Sequence, residues 1–337
     1  MSRITVLGSG AWGTAIALSL AQKQVHEVTL WSHRAAAADA LQQDRENRHF
    51  LPGFSFPESL RVTADDRAAV RDAEILVCVV PSEFLRGTIT RLASHLHDGQ
   101  ILVSATKGLE DDSFLRMSEV LEDCVARAGL RLPVAALSGP SFAQEVAADM
   151  PTAVTIACQD AAIASLIQRE FSSPTLRLYT NDDIIGVEMG GALKNVIAIA
   201  AGVLAGLGLG LNSAAGLITR GIAEITRLAV AAGGQRDTMR GLSGVGDLVL
   251  TCTGPLSRNR TVGFELGRGR RLPEILAGLD GKVAEGVRTT RAALGLARKL
   301  GVEMPITEQM ELILDEGKDP KAAIRQLMSR PGRPEED

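Results

Sequence analysis

The stretch Arg3-Ile4-Thr5-Val6-Leu7-Gly8-Ser9-Gly10-Ala11-Trp12-Gly13 decides how the amino-terminal half of the chain folds. An apolar strand runs straight into Gly-x-Gly-x-x-Gly, and a helical period opens behind it over Ala11–Lys23. The pattern alone is weak in a chain with 34 glycines. Its position between strand and helix, inside a βαβ unit, gives it weight. Gly8 permits the tight turn, Gly10 lets the backbone approach a pyrophosphate, and Gly13 lets the helix pack close to the sheet. The helix N-terminus then offers N–H groups and a positive dipole end to an anion. A dinucleotide site is expected here; the alternative is an ordinary glycine-rich turn.

Outward from that turn, short β-rich runs alternate with helical periods as far as about residue 180. The strand candidates are Ile4–Leu7, Glu27–Trp31, Arg61–Thr63, Glu74–Val80, Gln100–Ser104, Val134–Leu137, Ala153–Ala157 and Leu176–Tyr179. Strands alternating with helices imply crossover units and a mainly parallel sheet with helices on both faces. Beyond Asp182 the strand signal vanishes. Helical periods follow at Ile184–Ala205, Ser213–Ala232, 261–268, 289–300 and 306–316, with a glycine-rich loop at 241–247. The reading is therefore an α/β domain over 1–181, an all-α domain over 182–329, and a charged, frayed tail over 330–337.

Length and composition agree. The 337 residues suffice for about two domains, and 45% apolar with 23% charged residues excludes wholesale disorder. A net charge of −4 carries no basic excess, so nucleic-acid and anionic-membrane binding are not expected. The four cysteines, Cys78, Cys124, Cys158 and Cys252, are scattered, which fits a reducing compartment rather than a disulfide framework. His95 and His97 lack companion ligands, and no metal is expected. The N-terminus enters a strand at once with no signal peptide, so a cytoplasmic location is expected. The uncharged run from Asn195 to Thr219 is long enough for a bilayer, but its glycines and Asn212 favour a buried helical hairpin.

The end of the second strand bears on which dinucleotide binds. An acidic residue about twenty positions past the glycines would hold a ribose 2′-hydroxyl. This chain reads Leu30-Trp31-Ser32-His33-Arg34, with no acid until Asp39. Ser32, His33 and Arg34 would welcome a 2′-phosphate, so NADP(H) is expected to be preferred, with NAD(H) also admitted. The plainer reading makes Arg34 the start of a solvated helix.

Several polar residues interrupt apolar text. Lys107 follows the fifth strand and Gly139-Pro140-Ser141 the sixth, which should bring both to the edge of the sheet that carries the glycine turn. Lys194 lies mid-helix on the threshold of the uncharged run, with Asn195 beside it. Lysine is rarely buried without a partner or a purpose, and burial lowers its pKa toward neutrality. The alternative is a side chain that snorkels to the surface. Asp247, between Gly246 and Leu248, reads as a carboxylate presented by tight backbone. Arg258, between Ser257 and Asn259, offers a planar fork suited to phosphate.

Taken together, Gly-Ser-Gly-Ala-Trp-Gly, Ala-Thr-Lys-Gly-Leu, Leu-Ser-Gly-Pro-Ser-Phe-Ala, Gly-Ala-Leu-Lys-Asn-Val, Gly-Asp-Leu and Ser-Arg-Asn-Arg resemble the bacterial NAD(P)-dependent glycerol-3-phosphate dehydrogenases, in order from residue 4 to about residue 315. The resemblance implies a Rossmann-type domain followed by a helical substrate domain, with the chemistry in the cleft between them. It implies reduction of dihydroxyacetone phosphate to sn-glycerol 3-phosphate for phospholipid synthesis, and it leaves a homodimer open. Lys194 would be the proton donor. Lys107, Gly139, Ser141, Asn195, Asp247, Ser257, Arg258 and Asn259 would contact substrate. The glycine turn (Gly8, Gly10, Ala11, Trp12, Gly13) with His33, Arg34, Lys107, Ala143, Arg258, Val283 and Glu285 would contact the cofactor. A β-hydroxyacid dehydrogenase shares the two-domain plan and a catalytic lysine, but has no use for the Ser257–Arg260 cluster. A non-catalytic NADP(H) sensor would have no use for Lys194.

Overall fold

Each of the eight β-rich runs read from the sequence becomes a strand of one sheet. The computed structural model describes residues 1–279, 283–332, 334 and 335. The chain divides into two units, Met1–Thr106 with Met117–Ile184, and Lys107–Arg116 with Ile185–Asp337. The segment Lys107–Arg116, set in sequence between a strand ending at Ser104 and a helix starting at Met117, thus groups with the helical half.

In chain order the first unit contains β1 (Ser2–Leu7), α1 (Ala11–Gln22), β2 (His26–Trp31), α2 (Ala35–Asp44), β3 (Glu46–Asn47), β4 (Leu51–Ser55), β5 (Leu60–Thr63), α3 (Asp66–Val70), β6 (Ile75–Cys78), α4 (Ser82–Leu92), β7 (Ile101–Ser104), α5 (Met117–Arg127), β8 (Val134–Ser138), α6 (Ala143–Ala147), β9 (Thr152–Ala157), α7 (Ala161–Phe171) and β10 (Leu176–Asn181). The main sheet runs β10-β9-β8-β7-β6-β1-β2-β5. Its described pairings are parallel except β8 against β9. The central strands β6, β7 and β8 are buried at every residue, as strands covered on both faces must be. The small antiparallel ribbon β3–β4 was not foreseen, because Leu-Pro-Gly-Phe-Ser reads as a turn rather than a strand.

The second unit contains α8 (Ile184–Gly206), α9 (Leu211–Ala231), α10 (Asp247–Thr253), α11 (Arg258–Gly267), α12 (Leu272–Ala277), α13 (Glu285–Leu300), α14 (Pro305–Glu316) and α15 (Pro320–Met328). The sequence reading omitted α10, α12 and α15, which are too short to show a full helical period. The glycine-rich loop expected at 241–247 is instead one wide helical turn, Leu242–Gly246, leading directly into α10. The tail expected over 330–337 lies partly outside the described residues.

The uncharged run is shared between two helices. By length and composition α8 could cross a membrane, yet 94% of its apolar window is buried within the protein. The expectation of a fully buried hairpin fails for the second arm: Leu211, which opens α9, is 88% exposed. Farther along α9 the carboxylate of Glu224 is buried and accepts the backbone N–H groups of Ile306 and Thr307, which caps α14.

Glycines set the approach of α8 to α11. A Cβ on Gly202 would lie 2.0 Å from the carbonyl oxygen of Arg260, and one on Gly263 would lie 1.9 Å from that of Ile199. Gly206 and Gly267 repeat the arrangement one turn on, at 2.2 Å from Phe264 O and 2.5 Å from Val203 O. The two helices therefore meet backbone to backbone. Gly263→Ala is expected to destabilise the fold by about 1–3 kcal/mol through overpacking. Gly216→Ala, on α9 with nothing within 4 Å of the added carbon, is expected to stabilise slightly. Urea denaturation of the two variants side by side checks both signs.

Candidate functional site

In the first unit the glycine turn is built by contact rather than by hydrogen-bonded capping. Gly8 has φ +122°, and a Cβ there would sit 2.9 Å from the carbonyl oxygen of Val79. Gly13 presses on Gly8 so closely that a Cβ would come within 1.9 Å of its carbonyl oxygen. A Cβ on Gly10, by contrast, would meet nothing within 4 Å. Gly10 is the N-cap of α1, Ala11 is the first residue of that helix, and no acidic residue sits in the first turn. The Nε1 of Trp12 is buried without a partner among the described residues. Open space before Gly10, helix N–H groups unmatched within α1 and an orphaned indole donor fit an anionic dinucleotide.

Ser32 follows β2 but is buried, and it accepts the hydroxyl hydrogen bond of Ser9 at 3.0 Å. Of the three residues expected to greet a 2′-phosphate, it is thus turned back onto the glycine turn. His33 and Arg34 are exposed, and the Arg34 Nε donates to His33 Nε2 at 3.0 Å. Burial, then the charges of Arg34 and Arg91, hold the His33 pKa below its usual value. Asp66 reaches the same strand end, but Arg91 and the Trp31 indole occupy it. Gly139 and Ser141 lie just past β8, with the Ser141 hydroxyl donating to Gly139 O at 3.1 Å, and Ala143 opens α6.

In the second unit the buried side chain of Asp247 gathers the charges. Lys107 donates to its Oδ2 at 2.7 Å and Lys194 to its Oδ1. Lys194 also donates to the Thr251 hydroxyl at 2.9 Å, and that hydroxyl donates to the Asp247 carbonyl. Lys194 is 7% exposed and Asp247 0%, so the lysine does not snorkel and the aspartate is held within the protein. Burial, partly offset by Asp247 and reinforced by Lys107, lowers the Lys194 pKa to about 8. Two lysines thus share one buried carboxylate.

Local packing explains why these groups meet. A Cβ on Gly190 would lie 2.4 Å from Ser243 O, so the turn before α10 presses on α8 and aims Asp247 at Lys194. The backbone contact of α8 with α11 brings Ser257, Arg258 and Asn259 alongside. Ser257 caps α11 by accepting the Arg260 N–H at 3.2 Å. Asn259 accepts the Gly286 N–H at 2.9 Å, and a Cβ on Gly286 would lie 2.6 Å from Asn195 O. Arg258 is exposed at the helix N-terminus, with no hydrogen bond or ion pair among the described residues. Glu285 opens α13, with Val283 just ahead of it.

The structure thus brings Lys107, Lys194 and Asp247 into one network, with Asn195 and Asn259 linked through Gly286. Lys107 follows β7 by three residues, and its ammonium is engaged by Asp247 of the helical unit. Thr251 was missed. Its signal was its place one helical turn after Asp247, legible only once a helix is known to start there.

The first-half family model, the N-terminus of NAD-dependent glycerol-3-phosphate dehydrogenase, matches residues 3–164, and the C-terminus model matches 183–325. A protein of Acidobacterium capsulatum named glycerol-3-phosphate dehydrogenase (NAD(P)+) is 62% identical over 99% of this chain and 100% of its own length. One of that name from Koribacter versatilis is 56% identical over 99% of both. The crystal structure of glycerol-3-phosphate dehydrogenase from Coxiella burnetii superposes with a TM-score of 0.93 at 40% identity, covering 98% of this chain and 99% of that one. With both halves matched, and with relatives this similar along their full length, the chain belongs to the NAD-dependent glycerol-3-phosphate dehydrogenase family.

Proposed function

We propose that the protein reduces dihydroxyacetone phosphate to sn-glycerol 3-phosphate, reversibly, with NADPH preferred over NADH. The observation that supports this most is the buried Lys107–Asp247–Lys194 cluster, which offers a proton and net positive charge where a ketone oxygen gains negative charge. When bound, the reduced nicotinamide supplies the hydride that adds to the ketone carbon. Lys194 stabilises the developing oxyanion and gives up a proton to it, completing the secondary alcohol. Asp247 and Thr251 fix the amine in place, and Lys107 biases it toward proton release. Arg258, with Asn259 and the N–H groups that open α11, anchors the phosphate. Ser141, Gly139 and Asn195 complete the substrate contacts. Anchoring at the non-reacting end holds the carbonyl in reacting position. His33 and Arg34 receive the 2′-phosphate. The product is the backbone for phospholipid synthesis, and four buried free thiols fit the cytoplasm.

Assays with both cofactors and a panel of phosphorylated ketones and hydroxyacids test the reading; turnover of hydroxyacids alone would replace it. Lys194→Ala is expected to lower kcat by about a thousandfold or more while leaving the cofactor dissociation constant nearly unchanged. Because reduction needs the protonated amine, its kcat/KM is expected to fall as pH rises through about 8, and oxidation to rise over the same interval. Arg258→Ala is expected to raise the ketone phosphate KM by about ten- to a hundredfold, the range for a charge-assisted hydrogen bond at an exposed position. Arg34→Ala is expected to raise the KM for NADPH by a similar factor and to leave that for NADH within about twofold.

A further inference from the structure

Lys107 reaches Asp247 on a strap, Lys107–Arg116, that leaves the sheet after β7 and is folded against the helical unit at several points. Leu109 is buried in the helical core and pairs antiparallel with Arg116. Arg116 donates to Glu188 of α8 at 2.8 Å, with both side chains largely buried. Arg288 of α13 donates to Asp111 at 2.9 Å. A tight fit lies between them. A Cβ on Gly295 of α13 would come within 2.2, 2.4 and 2.8 Å of three atoms of the Phe114 ring, so the ring occupies the space that any other residue at 295 would fill. Gly295 and Arg288 share one face of α13, two turns apart.

Phe114 itself has φ +61°, a backbone region that bulky residues rarely adopt. Local hydrogen bonds hold it there: its N–H donates to Glu110 O at 3.0 Å, and the Glu110 N–H donates to Leu115 O at 2.9 Å. A strained residue whose ring is fitted onto a glycine is the mark of a contact over-determined by its surroundings.

We propose that Phe114 and Gly295 form a clasp through which α13 positions Lys107 in the catalytic cluster. The inference rests on the reading of Lys107 and Lys194 given above. Phe114 acts through Lys107 and is a positioning residue. Releasing the clasp frees Lys107 from Asp247. Lys194 then faces Asp247 and the neutral Thr251 and Cys252 of α10 without a second ammonium beside it. Its proton is held more tightly, because Lys107 is one of the charges that weaken its hold.

The test uses the full chain with NADPH and dihydroxyacetone phosphate. Phe114→Ala, which adds no bulk, is expected to lower kcat by about ten- to a hundredfold. The cofactor dissociation constant should stay unchanged, and the alkaline fall of kcat/KM should move to higher pH. Gly295→Ala is expected to do the same in the natural background and to add nothing to Phe114→Ala, because the clash needs the ring. An unchanged pH profile in Phe114→Ala, or an equal added loss from Gly295→Ala in that background, would overturn the clasp. A natural chain that turns over no ketone phosphate would overturn the proposed activity as well. One that does, alongside an unaffected Phe114→Ala, would overturn the clasp alone.

Discussion

A carboxylate with no exposed surface, Asp247, is the point on which the charged cluster of the helical unit depends. Burying a charge is costly unless it is paired and hydrogen-bonded, and here both oxygens are taken, one by each lysine. The pairing is deliberately unequal. Burial and the neighbouring ammonium of Lys107 make the amine of Lys194 more acidic than a free lysine, while it stays attractive to an oxyanion. Nearby Cys252 is left inert by the same dryness, its thiol pKa raised to about 12 by burial.

Backbone contacts, more than side-chain interlock, bring the pieces together. The turn before α10 presses on α8 through Gly190, α11 lies on α8 through paired glycines, and α13 touches Asn195 through Gly286. Each contact sits within a turn or two of a polar group that the proposed reaction uses. The glycines of the helical half, which argue against a membrane segment in the uncharged run, are what let the helices come close enough to build a charged site. In the other unit the same economy appears where Gly13 meets Gly8, and the space before Gly10 stays open.

The sheet was legible because its strands are short, β-rich and bounded by turn residues, and several are apolar throughout; Ile75-Leu76-Val77-Cys78 can hardly be anything else. The ribbon at Glu46–Asn47 and Leu51–Ser55 was not, since a proline and a glycine mask it. Lys194 stood out as a lone charge beside an uncharged run. The partnership of Lys107 with Asp247, 140 positions away, did not, because no local pattern records which distant groups will meet. The same holds for Thr251, whose meaning depends on a helix start hidden among glycines, and for Ser32, whose position suggested a ligand contact but whose hydroxyl is already held by Ser9.

The meeting of α8 with α11 has a consequence for selectivity. Where glycines face carbonyls across the crossing, the spacing of α8 and α11 is a dimension of the peptide backbone, not of rotamers. Such a caliper cannot be reset by exchanging one side chain for another. Accommodating a longer carbon skeleton would require sliding one helix along the other, against the carbonyls that face each glycine. The linker Gly254-Pro255-Leu256-Ser257 joins α10 to α11 and carries Pro255 and Leu256 exposed at the surface. In the proposed reaction, that short connection helps set how far the arginine fork stands from the amine.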